Sequence, residues 1–408
     1  ETCVDSTRLA QVLVVGPSNE SVKNLFEKMI EANTPNVPPF FSPAVYVAKS
    51  RYADIDEESD IHQHCVHVMA QKQLPDKGSK KKLDKEEAEV LKRAHVVLCT
   101  YNHSAALKSV GEGLEFDLIV LDEASQVAET LTLVPLMCMG RRSQLVLAGD
   151  HWQMQPHSKV SDRDTFHKTR TVSLMERLCT EVDNAGDAVA CLAIPTLFPL
   201  ARAPVVFLSR QYRMPALVCM LVSEAYYKGK LKHAAGVTEE TFPKLPRFQL
   251  PFMMLEVHGM AQTVDNSYVN MVEAMSALSL VDLLVDTESA KASEITLLCL
   301  YKAQAKFLQA WEHKPEGLGV ATLDAFQGRE NQIILFLTTR MVNSSSAAAI
   351  PFLDRRQWNV ALSRCKKGVV VLTQKTALEK NEAAKEWWGK KAYLPTAFTN
   401  LEVVHSVF

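Results

Sequence analysis

The sequence predicts an α/β protein made of two halves, each built on a parallel sheet. The chain has 408 residues, which exceeds one domain of ordinary size and suits two. Short apolar runs recur through both halves, and each is followed by polar or small residues and then by a helical pattern. Such alternation is typical of βα units, in which consecutive strands lie parallel in one sheet.

In the first half, the strand-like runs cover residues 11–15, 95–99, 116–121 and 145–148. The first run ends at Gly16, and apolar residues at helical spacing follow over 22–30, which predicts a helix with one buried face. Residues 45–93 are rich in Asp, Glu, Lys and His and predict a charged stalk or surface insertion. Gly and Pro punctuate residues 184–204, so we expect the first domain to span 1–205.

In the second half, the apolar runs cover residues 295–300, 318–322, 333–337 and 369–372. Continuous apolar runs of this length indicate strands that are covered on both faces, as in a parallel sheet. We therefore expect a second domain over 206–380. Residues 381–408 carry adjacent tryptophans and predict a C-terminal helix and tail.

Composition narrows the classes of function. Lys and Arg number 45 against 47 Asp and Glu, so net charge does not predict a polyanion partner. Nine scattered cysteines without a CxxC pair indicate reduced thiols in an intracellular protein. We expect a cytoplasmic protein, with the nucleus as the alternative location. No apolar run is long enough to predict a membrane span. The cluster His62, His64, Cys65 and His67 could bind a metal, but its spacing matches no standard zinc pattern, which favours a charged surface.

The strongest local signal is the segment Leu118–Ser125, LIVLDEAS. A buried strand here delivers two adjacent carboxylates at its carboxyl end, where ligands bind in open α/β sheets. Asp122 can hold Mg²⁺ at that position, and Glu123 can orient and deprotonate an attacking water. Taken alone, the same pattern is also compatible with two solvated acids at the start of a loop.

At these carboxylates the chain resembles the superfamily 1B helicases of the branch that contains the nonsense-mediated-decay RNA helicase. The likeness covers about residues 11–375, in order and at similar spacing. In the first half it continues at Gly16–Asn19 (motif Ia), Val97–Thr100 (before motif Ib), Ala148–Gln153 (motif III) and Ser173–Leu178 (linker helix). The resemblance implies two RecA-like P-loop NTPase domains and a γ-phosphate sensor at Gln153. The nucleic-acid contacts that it implies in this half are Pro17, Ser18, Asn19 and Thr100.

The second half matches the same family at Gln211–Met214 (motif IV), Ser267–Ala274, Tyr301 with Gln304, Thr322–Glu330 (motif V) and Asn359–Arg364 (motif VI). The resemblance places Arg213 and Arg364 on the γ-phosphate. The other nucleotide contacts that it implies are Tyr212, beside the adenine, with Gly328 and Glu330. Its nucleic-acid contacts in this half are Tyr301 and Thr322.

The function implied by the resemblance is an ATP-dependent helicase or translocase on single-stranded nucleic acid, with RNA favoured over DNA. ATP and Mg²⁺ are the implied cofactors, with hydrolysis in the cleft between the two lobes. Phosphoryl transfer needs charge stabilisation around the γ-phosphate, which two arginines of the second lobe can supply. The alternative is a non-catalytic pseudo-helicase that binds RNA or a protein partner.

One family element has no counterpart, because the P-loop pattern GxxxxGK[ST] is absent from the 408 residues. In the family it precedes motif Ia by more residues than the fifteen before Gly16. We therefore expect a first domain truncated at its N-terminus, with the P-loop upstream of Glu1 or on a separately encoded segment. This chain alone is expected to be inactive, and strand 116–121 is expected to face a gap or an unpaired edge where the P-loop strand is missing.

Overall fold

Two units make up the chain, Glu1–Val205 and Val206–Phe408. The computed structural model describes residues 10–32, 42–48, 55–74, 80–110, 113–157, 171–184, 192–194, 198–203, 205–235, 251–339, 354–374, 377 and 379. The predicted C-terminal helix and tail over 381–408 lie outside the described residues. Each unit contains one five-stranded sheet with helices packed on it, which confirms the predicted α/β fold with parallel sheets.

The strands of the first unit are β1 Val12–Gly16, β2 Pro43–Val45, β3 Val96–Thr100, β4 Phe116–Leu121, β5 Met139–Leu147, β6 Leu192–Ile194 and β7 Phe198–Ala203. Its helices are α1 Asn19–Ala32, α2 Asp60–Gln63, α3 Val66–Gln73, α4 Lys80–Arg93, α5 Leu107–Val110, α6 Glu129–Leu136 and α7 Leu174–Asn184. The sheet order is β2-β3-β1-β4-β5, and all of these pairs are parallel. The short strands β6 and β7 form a separate antiparallel pair.

The core of the first unit explains why these runs become strands. β1 and β3 lie inside the sheet, and Leu13, Val15 and Leu98 are fully buried. Helix α1 turns Val22 and Phe26 towards this sheet, and the two side chains are 3% and 1% exposed. Burial on both faces is what a continuous apolar run needs, whereas the helix needs only one apolar stripe.

The predicted unpaired edge of strand 116–121 is wrong. β4 pairs with β1 on one side, where Val12 registers with Leu118, and with β5 on the other, where Leu145 registers with Ile119. Among the described strands, the outer positions belong to β2 and β5. The prediction failed because the chain order of parallel strands does not give their order in the sheet. Here β1 lies between β3 and β4.

The charged stretch folds as the helices α2, α3 and α4, and part of it is buried. The Glu87 side chain is 1% exposed, and its Oε1 lies 2.8 Å from Nδ1 of His67. The thiol of Cys65 donates to the Ile61 carbonyl at 3.3 Å. Among the described residues, no group of three or more His, Cys, Asp and Glu side chains is arranged to hold a metal ion.

The strands of the second unit are β8 Arg210–Gln211, β9 Lys232–His233, β10 Phe252–Glu256, β11 Gln262–Val264, β12 Ser267–Val269, β13 Ile295–Cys299, β14 Gly319–Thr322, β15 Asn331–Leu337 and β16 Cys365–Thr373. Its helices are α8 Ala216–Tyr226, α9 Met271–Asp286, α10 Lys302–Gln309 and α11 Arg355–Leu362. The main sheet is parallel in the order β10-β16-β15-β13-β14.

Helices cover this second sheet. Val281 and Leu284 of α9 belong to one apolar cluster with Leu335 of β15. Trp358 of α11 is fully buried, and its ring lies 5.6 Å from the ring of Phe336. In the part of the chain that the structure describes, no helix is long and apolar enough to cross a membrane.

Candidate nucleotide and nucleic-acid sites

The two predicted catalytic carboxylates lie at the carboxyl end of β4. The amide of Asp122 donates to the Val15 carbonyl at 2.8 Å, which continues the β1–β4 ladder to this residue. Glu123 has a φ of 49°, a left-handed conformation that costs a non-glycine residue about 1–2 kcal/mol. Its Oε2 accepts a hydrogen bond from Gln126 Nε2 at 2.6 Å. Strain of this kind is common at active sites, so the backbone supports a functional role for Glu123.

Burial raises the pKa of Asp122, although a hydrogen bond from the Glu123 amide and the charge of Lys28 oppose the effect. The hydroxyl of Tyr101 donates to the Asp122 carbonyl oxygen at 3.1 Å. The pKa of Tyr101 is raised as well, first by burial and then by the charges of Asp122 and Glu123. A half-buried carboxylate that has lost part of its hydration gains more from a nearby cation than an exposed one does.

The predicted motif III loop is in backbone contact with the carboxylates. The Ala124 amide donates to the Ala148 carbonyl at 2.9 Å. Gly149 has a φ of 157°, and a Cβ there would lie 3.0 Å from the Ala124 nitrogen. Gln153 Nε2 donates to Asp150 Oδ2 at 2.8 Å, which holds the predicted sensor side chain near the end of β5. The structure therefore brings both predicted catalytic segments of the first unit to the same edge of the sheet.

The predicted nucleic-acid contacts of the first unit follow the neighbouring strands. Gly16 of β1 registers with Thr100 of β3, so residues 17–19 and Thr100 lie at the carboxyl ends of adjacent parallel strands. Asn19 and Thr100 both line one cavity of about 400 Å³. Ser18 and Ser21 exchange two hydrogen bonds of 3.1 Å between each amide and the other hydroxyl, which fixes the start of α1.

In the second unit, Arg213, Glu330 and Lys366 form one charged cluster. Arg213 Nε donates to Glu330 Oε2, and its Nη1 donates to the Ser363 carbonyl at 3.3 Å. Lys366 Nζ lies 2.8 Å from Glu330 Oε1. Burial raises the pKa of Glu330, but hydrogen bonds from Lys366 and Arg213 outweigh it and lower the pKa to about 2. The sequence analysis missed Lys366, although its place two residues after Arg364 was a signal.

The other predicted nucleotide contacts of the second unit lie near the same edge of its sheet. Arg364 is 3% exposed and directly precedes β16, and its carbonyl accepts from the Asn331 amide at 3.2 Å. Gly328 has a φ of 78° just before β15. The side chain of Tyr212 is 70% exposed. Arg364, Gly328 and the charged cluster therefore gather at the amino ends of β15 and β16.

The predicted nucleic-acid contacts of the second unit lie at the opposite, carboxyl edge. Thr322 ends β14 and registers with Cys299 at the end of β13. Tyr301 caps the N-terminus of α10, and its ring meets that of Tyr268 edge-on at 5.1 Å. The structure brings Tyr301 and Thr322 to one sheet edge and separates them from the arginines.

A buried polar network that the sequence analysis did not assign holds the first turn of α10, which begins directly after Tyr301. The Asn270 amide donates to Gln304 Oε1 at 2.8 Å, and Gln304 Nε2 donates back to the Asn270 carbonyl at 3.1 Å. Asn270 Nδ2 donates to the Thr339 carbonyl at 3.2 Å, and the Thr339 amide donates to Glu273 Oε1 at 2.8 Å. Asn270, Gln304, Glu273 and Thr339 are all fully buried. The network ties the start of α9 to α10 and to the end of β15.

Comparison with known proteins agrees with the motifs. Residues 42–159 and 171–376 each match a family described as an AAA domain, and the second match spans half of the chain. The chain is 28% identical to the ATP-dependent helicase NAM7 of Saccharomyces cerevisiae over 317 residues, covering 73% of this chain and 29% of that protein. It is 27% identical to the Regulator of nonsense transcripts 1 homolog of Arabidopsis thaliana over 398 residues, which cover 91% of this chain and 29% of that protein.

A third relative is the uncharacterized ATP-dependent helicase MJ0104 of Methanocaldococcus jannaschii, 28% identical over 320 residues and covering 74% of this chain and 42% of that protein. The chain thus spans 29% to 42% of the length of these relatives. The family match over 171–376 and these helicase relatives agree with the order of motifs along the sequence. This chain belongs to the AAA-domain family of helicases and, within it, to the superfamily 1B branch of the nonsense-mediated-decay RNA helicase.

Proposed function

We propose that this chain is most of the motor of an ATP-dependent helicase or translocase on single-stranded nucleic acid, with RNA preferred to DNA. The observation that carries the proposal is the position of Asp122 and Glu123, at the end of a buried parallel strand and against the loop that holds Gln153. Left-handed backbone at Glu123 and a desolvated Asp122 support a reactive site rather than two solvated acids at the start of a loop.

Asp122 suits Mg²⁺ bound to ATP. Mg²⁺ in nucleotide sites takes one or two protein carboxylates and completes its shell with phosphate oxygens and waters. A single half-buried carboxylate at the end of β4 meets that need. When bound, the ion would neutralise charge on the phosphates. Glu123 would orient the attacking water and accept its proton, and Gln153 would contact the γ-phosphate.

Arg213 and Arg364 would supply positive charge to the same γ-phosphate. Guanidinium groups suit phosphate oxygens because their planar donors can bond two oxygens at once. In this structure Arg213 bonds to Glu330, so binding of a phosphate would have to replace that partner. Lys366 stays bonded to Glu330 and would compensate its charge while Arg213 turns to the nucleotide. Tyr212, Gly328 and Glu330 would hold the rest of the nucleotide.

Pro17, Ser18, Asn19 and Thr100 in the first unit, with Tyr301 and Thr322 in the second, would grip the nucleic acid. Hydroxyl, amide and backbone groups at strand ends bind phosphates and sugars without reading sequence. An aromatic ring such as Tyr301 can stack a base of any kind, which contributes about 1–3 kcal/mol per base. We therefore propose a sequence-tolerant grip on a single strand.

The P-loop pattern is absent from these 408 residues, so we propose that a segment outside them supplies the phosphate cradle. Backbone amides at a P-loop bind the β- and γ-phosphates, and their loss removes most of the affinity for ATP. We expect these residues alone to bind nucleic acid but not to turn over ATP. As a motor on RNA, the whole protein would act in the cytoplasm or the nucleus.

The test is ATP hydrolysis by the full-length protein, with and without single-stranded RNA. We expect RNA to stimulate hydrolysis and Glu123→Gln to reduce kcat by at least about 10². Glu115→Gln is the matched control, since Glu115 is exposed just before the same strand, at the other edge of the sheet. If the folded full-length protein shows no ATP hydrolysis that RNA stimulates, the proposal that it is an enzyme is refuted. Equal stimulation by single-stranded DNA would refute the RNA preference.

The alternative is a pseudo-helicase that binds RNA or a protein partner without turnover, and the absent P-loop pattern is the observation that favours it. Both functions predict RNA binding, so binding alone does not separate them. If the full-length protein does not hydrolyse ATP and its affinity for RNA does not change with ATP, the protein is a pseudo-helicase. An affinity that changes with ATP and with Glu123→Gln would establish the motor.

A further inference from the structure

The second unit has an apolar groove whose lining, among the described residues, includes none of the predicted site residues. It runs between β10 and α9 and has a volume of about 830 Å³. Its apolar lining includes Leu255, Val257, Met271, Val272, Met275 and Leu283. This volume is in the range of pockets that bind ligands or large side chains.

The groove exists because α9 has two apolar stripes and the sheet covers only one of them. Ala277, Val281 and Leu284 face the sheet and are buried. Val272 and Met275 lie on the other stripe and are 49% and 39% exposed. A helix that is apolar on both sides is normally covered on both sides. Among the described strands, β10 pairs only with β16, so nothing extends the sheet under this second stripe.

Acidic side chains line the groove alongside this apolar surface. Glu256, Asp282 and Asp286 line the groove, and none of its lining residues within the described part of the chain is Lys or Arg. His258 Nε2 lies 3.9 Å from Glu256 Oε1. The groove therefore fits an occupant with large apolar side chains and flanking positive charges.

The chain itself passes the end of this groove. β16 ends at Thr373, whose carbonyl accepts from the Val257 amide at 2.9 Å. Ala377 is 1% exposed, and its amide donates to the Gln374 carbonyl at 2.9 Å, so the chain is still packed four residues later. Residues 380–408 lie outside the described residues. A segment of this length can reach from the end of β16 along the groove, because extended chain spans up to about 3.3–3.6 Å per residue.

Residues 385–391 of that segment read Lys-Glu-Trp-Trp-Gly-Lys-Lys. Two adjacent tryptophans with lysines on both sides are the complement of an apolar groove with acidic groups around it. A buried tryptophan removes about 150–250 Å² from water, which is a strong reason for such a pair to find cover. We propose that residues 385–391 bind in the groove between β10 and α9, with Trp387 and Trp388 on the apolar surface.

The test is hydrogen exchange, followed by mass spectrometry, on the full 408-residue chain. Met275→Glu places a charge in the groove. Met220→Glu is the matched control, because Met220 is also on an apolar helix of this unit and is 38% exposed against 39% for Met275. We expect exchange of residues 385–391 to become at least ten times faster in Met275→Glu and to stay unchanged in Met220→Glu.

A second variant keeps the test valid if Met275→Glu does not fold. Replacing Trp387 and Trp388 by alanine should speed exchange in residues 385–391 and free the groove. A labelled peptide of residues 381–395 should then bind this variant more tightly than the wild type, whose own segment competes. The binding should weaken as salt is raised, because the flanking charges contribute.

Three results would overturn the proposal. One is unchanged exchange of residues 385–391 in a folded Met275→Glu chain. Another is faster exchange in a different segment of the chain, which would identify that segment as the occupant. The third is concentration-dependent self-association that Met275→Glu abolishes, which would show that a second copy covers the groove.

Discussion

Glu273 is a fully buried carboxyl group whose state of protonation should control how the stability of the second unit varies with pH. Its side chain lies on α9 below the sheet, and Oε1 accepts from the Thr339 amide at 2.8 Å. Burial raises its pKa from the ordinary value of 4.5 to about 8, although hydrogen bonds from Thr339 and Thr338 act in the opposite direction. The folded protein therefore keeps this proton at neutral pH, whereas the unfolded chain releases it.

The sign and size of the effect follow from that difference. Between pH 5 and 7.5 the unfolded state binds about one proton fewer at this site, so stability falls by about 1.4 kcal/mol for each pH unit. Glu273→Gln keeps an acceptor for the Thr339 amide and cannot ionise. Relative to the wild type, the variant should gain about 2.7 kcal/mol on going from pH 5.5 to 7.5. That is a large part of the 5–15 kcal/mol by which a typical domain is stable.

Urea unfolding of both proteins at pH 5.5, 6.5 and 7.5, followed by tryptophan fluorescence, measures this difference. Glu312→Gln is the control, since Glu312 is an exposed carboxylate of the same unit and should leave the pH slope unchanged. A stability difference between Glu273→Gln and wild type that stays constant with pH would refute the reasoning. It would mean that Glu273 is ionised in the folded protein throughout this range.

Three further predictions concern stability. Ionised Glu330 stabilises the fold above its ordinary pKa of 4.5, and this stabilisation is lost as the pH falls towards about 2. In Glu330→Gln, the free energy of unfolding, followed by circular dichroism, should therefore decrease less as the pH falls over this range. We expect about 1 kcal/mol after screening, since its side chain is 36% exposed. Gly149→Ala should cost about 1–3 kcal/mol in urea and Gly328→Ala less, because only the first Cβ meets backbone. Asn270→Ala should cost about 1–3 kcal/mol, because it leaves the buried Thr339 carbonyl and Glu273 amide without the Asn270 side chain, and an unchanged urea midpoint would contradict it.

Local patterns in the sequence were enough to predict the α/β class. Apolar runs alternate with helical patterns because the strands of a parallel sheet are buried on both faces, whereas the helices that cover it are buried on one. The segment Leu118–Glu123 was predicted as a strand ending in two acids, and β4 ends at Leu121 with both acids after it. By contrast, the edge predicted for this strand was wrong, because pairing depends on where β1 inserts and no local pattern encodes that.

Other features escaped prediction because they join distant parts of the chain. Lys366 and Arg213 meet at Glu330, and Arg213 is 117 residues from that partner. The hydrogen bond from the Thr339 amide to Glu273 joins residues 66 apart. The sequence around each of these side chains contains no pattern that indicates its partner. The partners come together only in the folded sheet. The left-handed backbone at Glu123 likewise lies between two such contacts, from the Asp122 amide to Val15 and from the Ala124 amide to Ala148.

The strand β15 links the two predicted functions of the second unit. It begins directly after Glu330, in the cluster that holds Arg213, and its last residue, Leu337, precedes the Thr338-Thr339 pair bonded to the Tyr301 side of the sheet. Residues 333–337 are fully buried between neighbouring strands, so this segment has no room to bend independently. A shift at Glu330 when Arg213 turned to a phosphate would therefore move the strand as one piece. The Asn270 network at its far end would receive that movement, so the proposed nucleotide site and the proposed nucleic-acid site could be coupled without a contact between them.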